Sequence, residues 1–132
     1  MKKFGLSKKE RIKSKKEFDL VYSYGTTILS TSNYLKGKFY TKLVPESCGV
    51  KTAFAVSKKC GNAVWRNRVK RLLRGSYRLN KTPLVSVCRE KNVLLLLVIS
   101  QGSINQRSHK KITFHEIEPE CIDLIEKIKS LL

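Results

Sequence analysis

The amino-acid sequence predicts an α+β fold: a single-domain α/β sandwich with about four strands in one sheet, packed with three helices. Three observations predict it. First, 132 residues with 41% hydrophobic content suffice for one buried core and argue against disorder, despite a formal net charge of +18. Second, residues 15–24, 62–80 and 118–132 repeat apolar side chains at spacings of three and four, the helical period. Third, residues 34–43 and 50–56 alternate like half-buried strands, whereas residues 93–99 form an unbroken apolar run suited to a strand covered on both faces.

The domain is expected to span 1–132, with 1–13 as a basic, flexible tail. Ser14, three residues before Glu17, reads as a capping box opening a helix over 15–24, and Gly25 stops it. Phe18, Val21 and Tyr22 share one face of that helix. A short strand is expected near 27–30 and a longer one over 34–43, where Lys36 and Lys38 alternate with Leu35, Gly37 and Phe39. After a turn at 45–49, the strand 50–56 sets Thr52, Phe54 and Val56 on one face and Lys51, Ala53 and Ala55 on the other. Residues 57–61 are a loop, and Asn62 is the N-cap of a helix running to Asn80. Gly75 inside it costs about 0.5–1 kcal/mol relative to alanine. Thr82-Pro83 is expected to end that segment, and residues 84–92 to lead into the buried strand. Residues 100–113 are polar and expected to be a loop. The last helix, 118–132, puts Cys121, Leu124, Ile125, Ile128, Leu131 and Leu132 on one face.

Charge is distributed unevenly along this chain. Between Lys58 and Lys81 nine residues are Lys or Arg and none is acidic. At roughly 100° per residue, Arg66, Asn67, Lys70, Arg71, Arg74 and Arg78 fall on one arc of about 140°. Trp65, Val69, Leu72, Leu73, Ser76 and Leu79 fall opposite, with Arg68 at the border. A merely solvated helix face mixes signs and gains from Glu–Lys pairs, which this one has no acid to form. A membrane-surface helix would carry more large aromatics on its apolar face than the single Trp65. Arg outnumbers Lys on the arc, which suits bidentate phosphate recognition. The helix is expected to pack on a core and face nucleic acid. Five of the ten acids, Glu116, Glu118, Glu120, Asp123 and Glu126, fall at the C-terminal end, and the last helix is expected to face away from nucleic acid.

Other classes fit poorly. No apolar run reaches membrane-spanning length, and the charged N-terminus precedes no apolar core, so a cytoplasmic protein is expected. Cys48, Cys60, Cys88 and Cys121 form no C-x-x-C pair, and with His109 and His115 they make no zinc pattern; reduced thiols are expected. A protein nuclease needs paired carboxylates or a positioned acid and base, and residues 47–89 contain no Asp or Glu at all.

The run Val-Ser-Lys-Lys-Cys-Gly-Asn-Ala-Val-Trp-Arg-Asn-Arg-Val-Lys-Arg-Leu-Leu-Arg, residues 56–74, resembles the signature of the bacterial ribonuclease P protein component. That family is marked by an Arg-Asn-Arg core after Ser-Lys-Lys-x-Gly-Asn-Ala-Val. Gly75-Ser76 departs from the family, where an acidic residue and alanine are common, and this bears on helix regularity there. The resemblance implies a left-handed strand–helix–strand crossover. It implies that a catalytic RNA subunit, with Mg²⁺ bound mainly by that RNA and no organic cofactor, removes the 5′ leader of precursor tRNA. Lys58, Lys59, Asn62, Arg66, Asn67, Arg68, Lys70, Arg71 and Arg74 would then dock on ribonuclease P RNA, Asn67 by hydrogen bonding. No protein residue would be catalytic, and neither a protein oligomer, DNA nor a membrane would be required.

By the same resemblance Phe18 and Tyr22 line a cleft for the single-stranded leader, although by residue type alone they are ordinary core aromatics. Aromatics beside cations suit such a strand, since stacking accepts any base. Lys36, Lys38 and Lys51 either join that cleft or are simply solvated. The rival readings are a ribosomal or general RNA-binding protein, a DNA-binding module and a self-sufficient nuclease.

Overall fold

In the computed structural model, which describes residues 8–132, the apolar run becomes the centre of the sheet. The elements are α1 (Lys15–Tyr24), β1 (Thr26–Leu29), β2 (Leu35–Leu43), β3 (Gly49–Ala55), α2 (Ala63–Asn80), α3 (Thr82–Glu90), β4 (Val93–Gln101) and α4 (Phe114–Leu131). The four-stranded sheet has the order β1-β2-β4-β3. β1–β2 and β2–β4 are antiparallel, and β3–β4 is parallel, joined by α2 and α3.

Residues 94–99 of β4 are all buried, and period-2 geometry divides them between two cores. Leu95, Leu97 and Ile99 face α2, α3 and α4, together with Trp65, Val69, Leu73, Leu84, Leu124 and Ile128. Leu94, Leu96 and Val98 face α1, beneath Val21, Phe18 and Ile12. Each fully buried Leu or Ile contributes roughly 1.5–3 kcal/mol, so this strand is the main apolar anchor of both layers.

Most elements lie where the sequence places them, and five differences stand out. Four helices, not three, cover the sheet, because Thr82-Pro83 begins α3 instead of ending a segment. Proline in a first helical turn lacks only an N–H that has no helical partner there, and Leu84 and Cys88, one turn apart, are buried. α4 starts at Phe114 rather than 118: the Glu116 carboxylate accepts from the Thr113 amide and hydroxyl, and Pro119 lies inside the helix. The α2 stripe is rotated, with Tyr77 buried and Leu79 42% exposed, since α3 and α4 cover the Tyr77 side. Burial first, then the charge of Glu10, holds the Tyr77 hydroxyl well above its ordinary pKa. In α4, Leu131 is exposed and Ile117 is buried in its stead.

The fifth difference concerns the tail. Residues 1–7 of the expected 1–13 tail lie outside the described residues, but the chain is fixed from Lys8 onward. Ile12 is buried, its amide donates to the Thr52 carbonyl at 2.9 Å, and Arg11 bridges Thr52, so this segment covers the outer edge of β3. The Glu10 carboxylate pairs with the nearly buried Lys81 ammonium at the α2–α3 junction.

α1 begins as expected: Ser14 Oγ accepts from the Glu17 amide at 3.1 Å. The box is only half made, because the Glu17 carboxylate turns to Lys51. Gly25 ends α1 for want of space, since a Cβ there would lie 2.3 Å from the Val21 carbonyl oxygen. α2 runs unbroken through Gly75, where an added Cβ would meet only the Phe114 ring at 3.7 Å.

The β1–β2 turn is tied to α4 through Asp123, whose Oδ2 accepts from the Thr31 amide at 2.7 Å and its hydroxyl at 2.9 Å. Partial desolvation raises the carboxyl pKa, but the Thr31 hydrogen bonds and Lys127 outweigh it and hold it below the usual range. A depressed folded-state pKa gives stability that is complete above the unfolded pKa, about 4, and is lost as pH falls through the folded value. Asp123→Asn should therefore be less stable than the parent at pH 6, with the gap closing below about pH 4. Urea midpoints of both proteins from pH 6 to 2 measure it; a constant gap would remove Asp123 ionisation from the account.

Candidate nucleic-acid interface

Val56 is buried at the end of β3, and the chain then turns through a 3-10 turn, Lys58–Cys60, into α2. Ser57 Oγ accepts from the Lys59 amide at 3.3 Å, and Asn62 Oδ1 caps α2 by accepting from the Trp65 amide at 2.9 Å. Trp65 is buried and packs under this corner.

Residues 102–113 hold the corner from outside. The Gln106 amide donates to the Cys60 carbonyl at 2.7 Å, and Gln106 Oε1 accepts from the Asn62 amide at 2.8 Å. Trp65 Nε1 donates to the His109 carbonyl at 3.0 Å, and Arg68 Nη2 donates to the Ile112 carbonyl at 2.8 Å. Arg66 Nε donates to the Gly61 carbonyl at 3.1 Å, which fixes its stem while leaving its terminal nitrogens to other partners. Sequence reasoning did not find Gln101, Gln106 or His109 as members of this corner. They lie in a polar stretch without period, and their partners are more than forty positions away.

The predicted dock residues lie together along this corner and helix. Lys58, Lys59, Asn62, Asn67, Arg68, Arg71 and Arg74 are exposed, and Arg66 and Lys70 are half-buried. Among the described residues, none of these cations makes an ion pair. Arg74 also lies 5.9 Å over the Phe54 ring, and with Arg11 and Thr52 it lines a shallow recess at the β3 edge. The acids of α4 sit on the other flank: Glu118 accepts from Asn80 Nδ2, and Glu120 accepts from Ser30. The cationic surface is therefore strongest on the N-terminal half of α2.

On the opposite side of the sheet, a second recess lies between α1 and the strands. Tyr22, Lys36, Lys38, Thr27, Ser57, Ser100 and Gln101 line it. Tyr22 is 51% exposed, and its ring is stacked with that of Phe18, centroids 6.4 Å apart. Phe18 is half-buried against the α1-side core, so it supports Tyr22 from behind. Lys38 Nζ donates to the Tyr22 carbonyl at 3.0 Å and lies 5.7 Å from its ring. Lys51, expected as a possible cleft residue, does not line this recess. Its ammonium pairs with Glu17 at 3.1 Å on α1. The two surfaces meet at Ser57, which lines the recess, opens the α2 corner, and donates its amide to Gln101 Oε1 at 3.0 Å.

Among the described residues, no three His, Cys, Asp or Glu side chains are grouped to hold a metal ion. The four cysteines are thiols, and burial pushes Cys88 and Cys121 up to about 11, which makes them inert at neutral pH. The His109 ring packs edge-on against Tyr34, centroids 5.0 Å apart, which is a structural contact. No helix of the described residues is long and apolar enough to cross a membrane.

Comparison with known proteins identifies the family. The Ribonuclease P family profile matches residues 6–129. The ribonuclease P protein component of Clostridium botulinum (strain Langeland) is 36% identical over 121 residues, covering 91% of this chain and 95% of that one. That of Syntrophus aciditrophicus is 39% identical over 114 residues, 85% of each chain. Among solved structures, the RNase P protein of Thermotoga maritima superposes with a TM-score of 0.68 at 19% identity, covering 89% of this chain and 96% of that one. The Staphylococcus aureus protein gives a TM-score of 0.63 at 23% identity, covering 90% and 94%; both share the α+β fold. With a family match over nearly its whole length, the chain belongs to the bacterial ribonuclease P protein family, the protein component of an endoribonuclease complex that processes tRNA.

Proposed function

We propose that this protein binds the catalytic RNA of ribonuclease P through the α2 corner and holds the 5′ leader of precursor tRNA in the Tyr22 recess. In this reading it works in the cytoplasm and assists Mg²⁺-dependent removal of the leader. The observation that carries the reading is the acid-free cationic surface of α2, joined at Ser57 to a recess that offers an aromatic ring beside two lysines. Arg and Lys on α2 neutralise phosphates and release counterions, so assembly should weaken steeply with salt. Tyr22 stacks on a base of any sequence while Lys36 and Lys38 track the backbone.

The division of labour follows from residue chemistry. The carboxylates of this chain are singly placed or engaged with Thr31, Lys51, Lys81, Lys127 and Lys129, and none faces the recess. The Mg²⁺ of the reaction is therefore assigned to the RNA. Neutralised phosphate at the dock lowers the Mg²⁺ concentration the RNA needs to fold.

The test is cleavage of a 5′-extended precursor tRNA at low Mg²⁺, by the protein, by a bacterial ribonuclease P RNA, and by both. Efficient cleavage is expected only from the combination. Cleavage by the protein alone would overturn the assignment of the chemistry. If the combination does no better than the RNA, a general RNA-binding role replaces the reading.

A further inference from the structure

The loop 102–113 carries Arg107, Lys110 and Lys111, all exposed, and no Asp or Glu occurs between Lys91 and His115. Among the described residues, none of the three makes an ion pair or donates a hydrogen bond to protein. Yet the loop is not a loose tether. Ile104 and Ile112 anchor it in the core, and its backbone and Gln106 fasten it to Cys60, Asn62, Trp65 and Arg68. Twelve residues without regular structure are costly to order, and loops of that length held rigidly on a scaffold usually carry function.

We propose that this loop is a second contact for the phosphates of the RNA subunit, continuous with the α2 dock, with Arg107, Lys110 and Lys111 as its cations. The inference rests on the docking role assigned to α2. Its geometric basis is the hydrogen-bonded seam: the loop runs beside the first turns of α2, so an RNA backbone seated on Arg66 and Arg68 lies against the loop. The acids of α4 begin only at Glu116, whose carboxylate is turned onto Thr113. The cationic surface therefore widens sideways at the N-terminal end of α2 and ends where α4 begins.

The test compares three full-length proteins in binding to a bacterial ribonuclease P RNA without precursor tRNA, across a salt series: the parent, Arg107→Gln/Lys110→Gln/Lys111→Gln, and a control, Lys15→Gln/Lys16→Gln/Lys42→Gln. The control removes the same charge from α1 and β2. The loop variant should lower the slope of log K against log salt by about 2–3, at 0.7–0.9 per phosphate contact, and the control by less than about 1. Urea midpoints should be alike, because the replaced side chains hold nothing in the fold. An unchanged slope for the loop variant overturns the proposal, as does an equal fall in both variants, which would make the loop part of a diffuse field only. If the loop variant is unchanged while a fourth protein, Lys70→Gln/Arg71→Gln/Arg74→Gln, loses slope, the docking role of α2 stands and only the loop assignment fails. If the parent itself shows no salt-dependent binding, the docking role fails with it.

Discussion

Trp65→Ala should destabilise the protein by about 3–5 kcal/mol, the usual cost of truncating a fully buried large aromatic. Trp65 is 3% exposed and sits where α2, the sheet and the 102–113 loop meet. Its removal leaves a cavity beneath the corner and strips the His109 carbonyl of its indole donor. Trp65→Phe keeps most of the volume and loses that hydrogen bond, so the expected loss is nearer 1–2 kcal/mol. Urea denaturation of the three proteins gives both numbers. A loss below about 1 kcal/mol for Trp65→Ala would mean that the corner is held by its hydrogen bonds alone.

Replacing Lys70, Arg71 and Arg74 together with glutamine should leave the fold intact and cripple assembly. Lys70 and Arg71 have no protein partner among the described residues, and Arg74 only overlies the Phe54 ring. Loss of three phosphate contacts should lower the salt slope by about 2–3 and the affinity at 0.15 M salt by about 100-fold. Glutamine keeps helix propensity, so the unfolding free energy from urea denaturation should change by less than about 0.5 kcal/mol. A filter-binding or fluorescence titration across salt measures the slope. If the slope is unchanged, the RNA seats elsewhere on the chain.

What the sequence revealed, and what it hid, follows from the range of the interactions. α2 was legible because both its stripes and the lack of acids are local properties of about twenty residues. β4 was legible because only a strand buried on both faces tolerates six consecutive large apolar residues. α3 was not, since nine residues with a proline in second place resemble a linker until Leu84 and Cys88 are seen in the core. The start of α4 was hidden by Pro119, which distracts from the Thr113–Glu116 cap before it. At the candidate site, the cations could be named from their spacing. Lys51 could not be sorted from Lys36 and Lys38, because its pairing with Glu17 spans 34 positions that no periodicity connects. The Gln101 and Gln106 contacts, 44 positions from their partners, were invisible for the same reason.

The place of β4 has a consequence for how the protein is made. The strand that lies between β2 and β3 is the last of the four to be synthesised. Before residues 93–101 leave the ribosome, β2 has only the short β1 beside it, and β3 has only the segment around Arg11. α2 is by then complete, yet Trp65, Val69 and Leu73 have no sheet to lie on. For that interval the nascent chain is a polycation with exposed apolar side chains, able to attract any RNA by charge alone. Arrival of β4 completes the sheet and closes the α1-side core, whereas the α2-side core and the cationic corner wait for residues 102–131. Shape-specific recognition therefore begins late in translation, after the central strand is in place and the chain that follows it has covered α2.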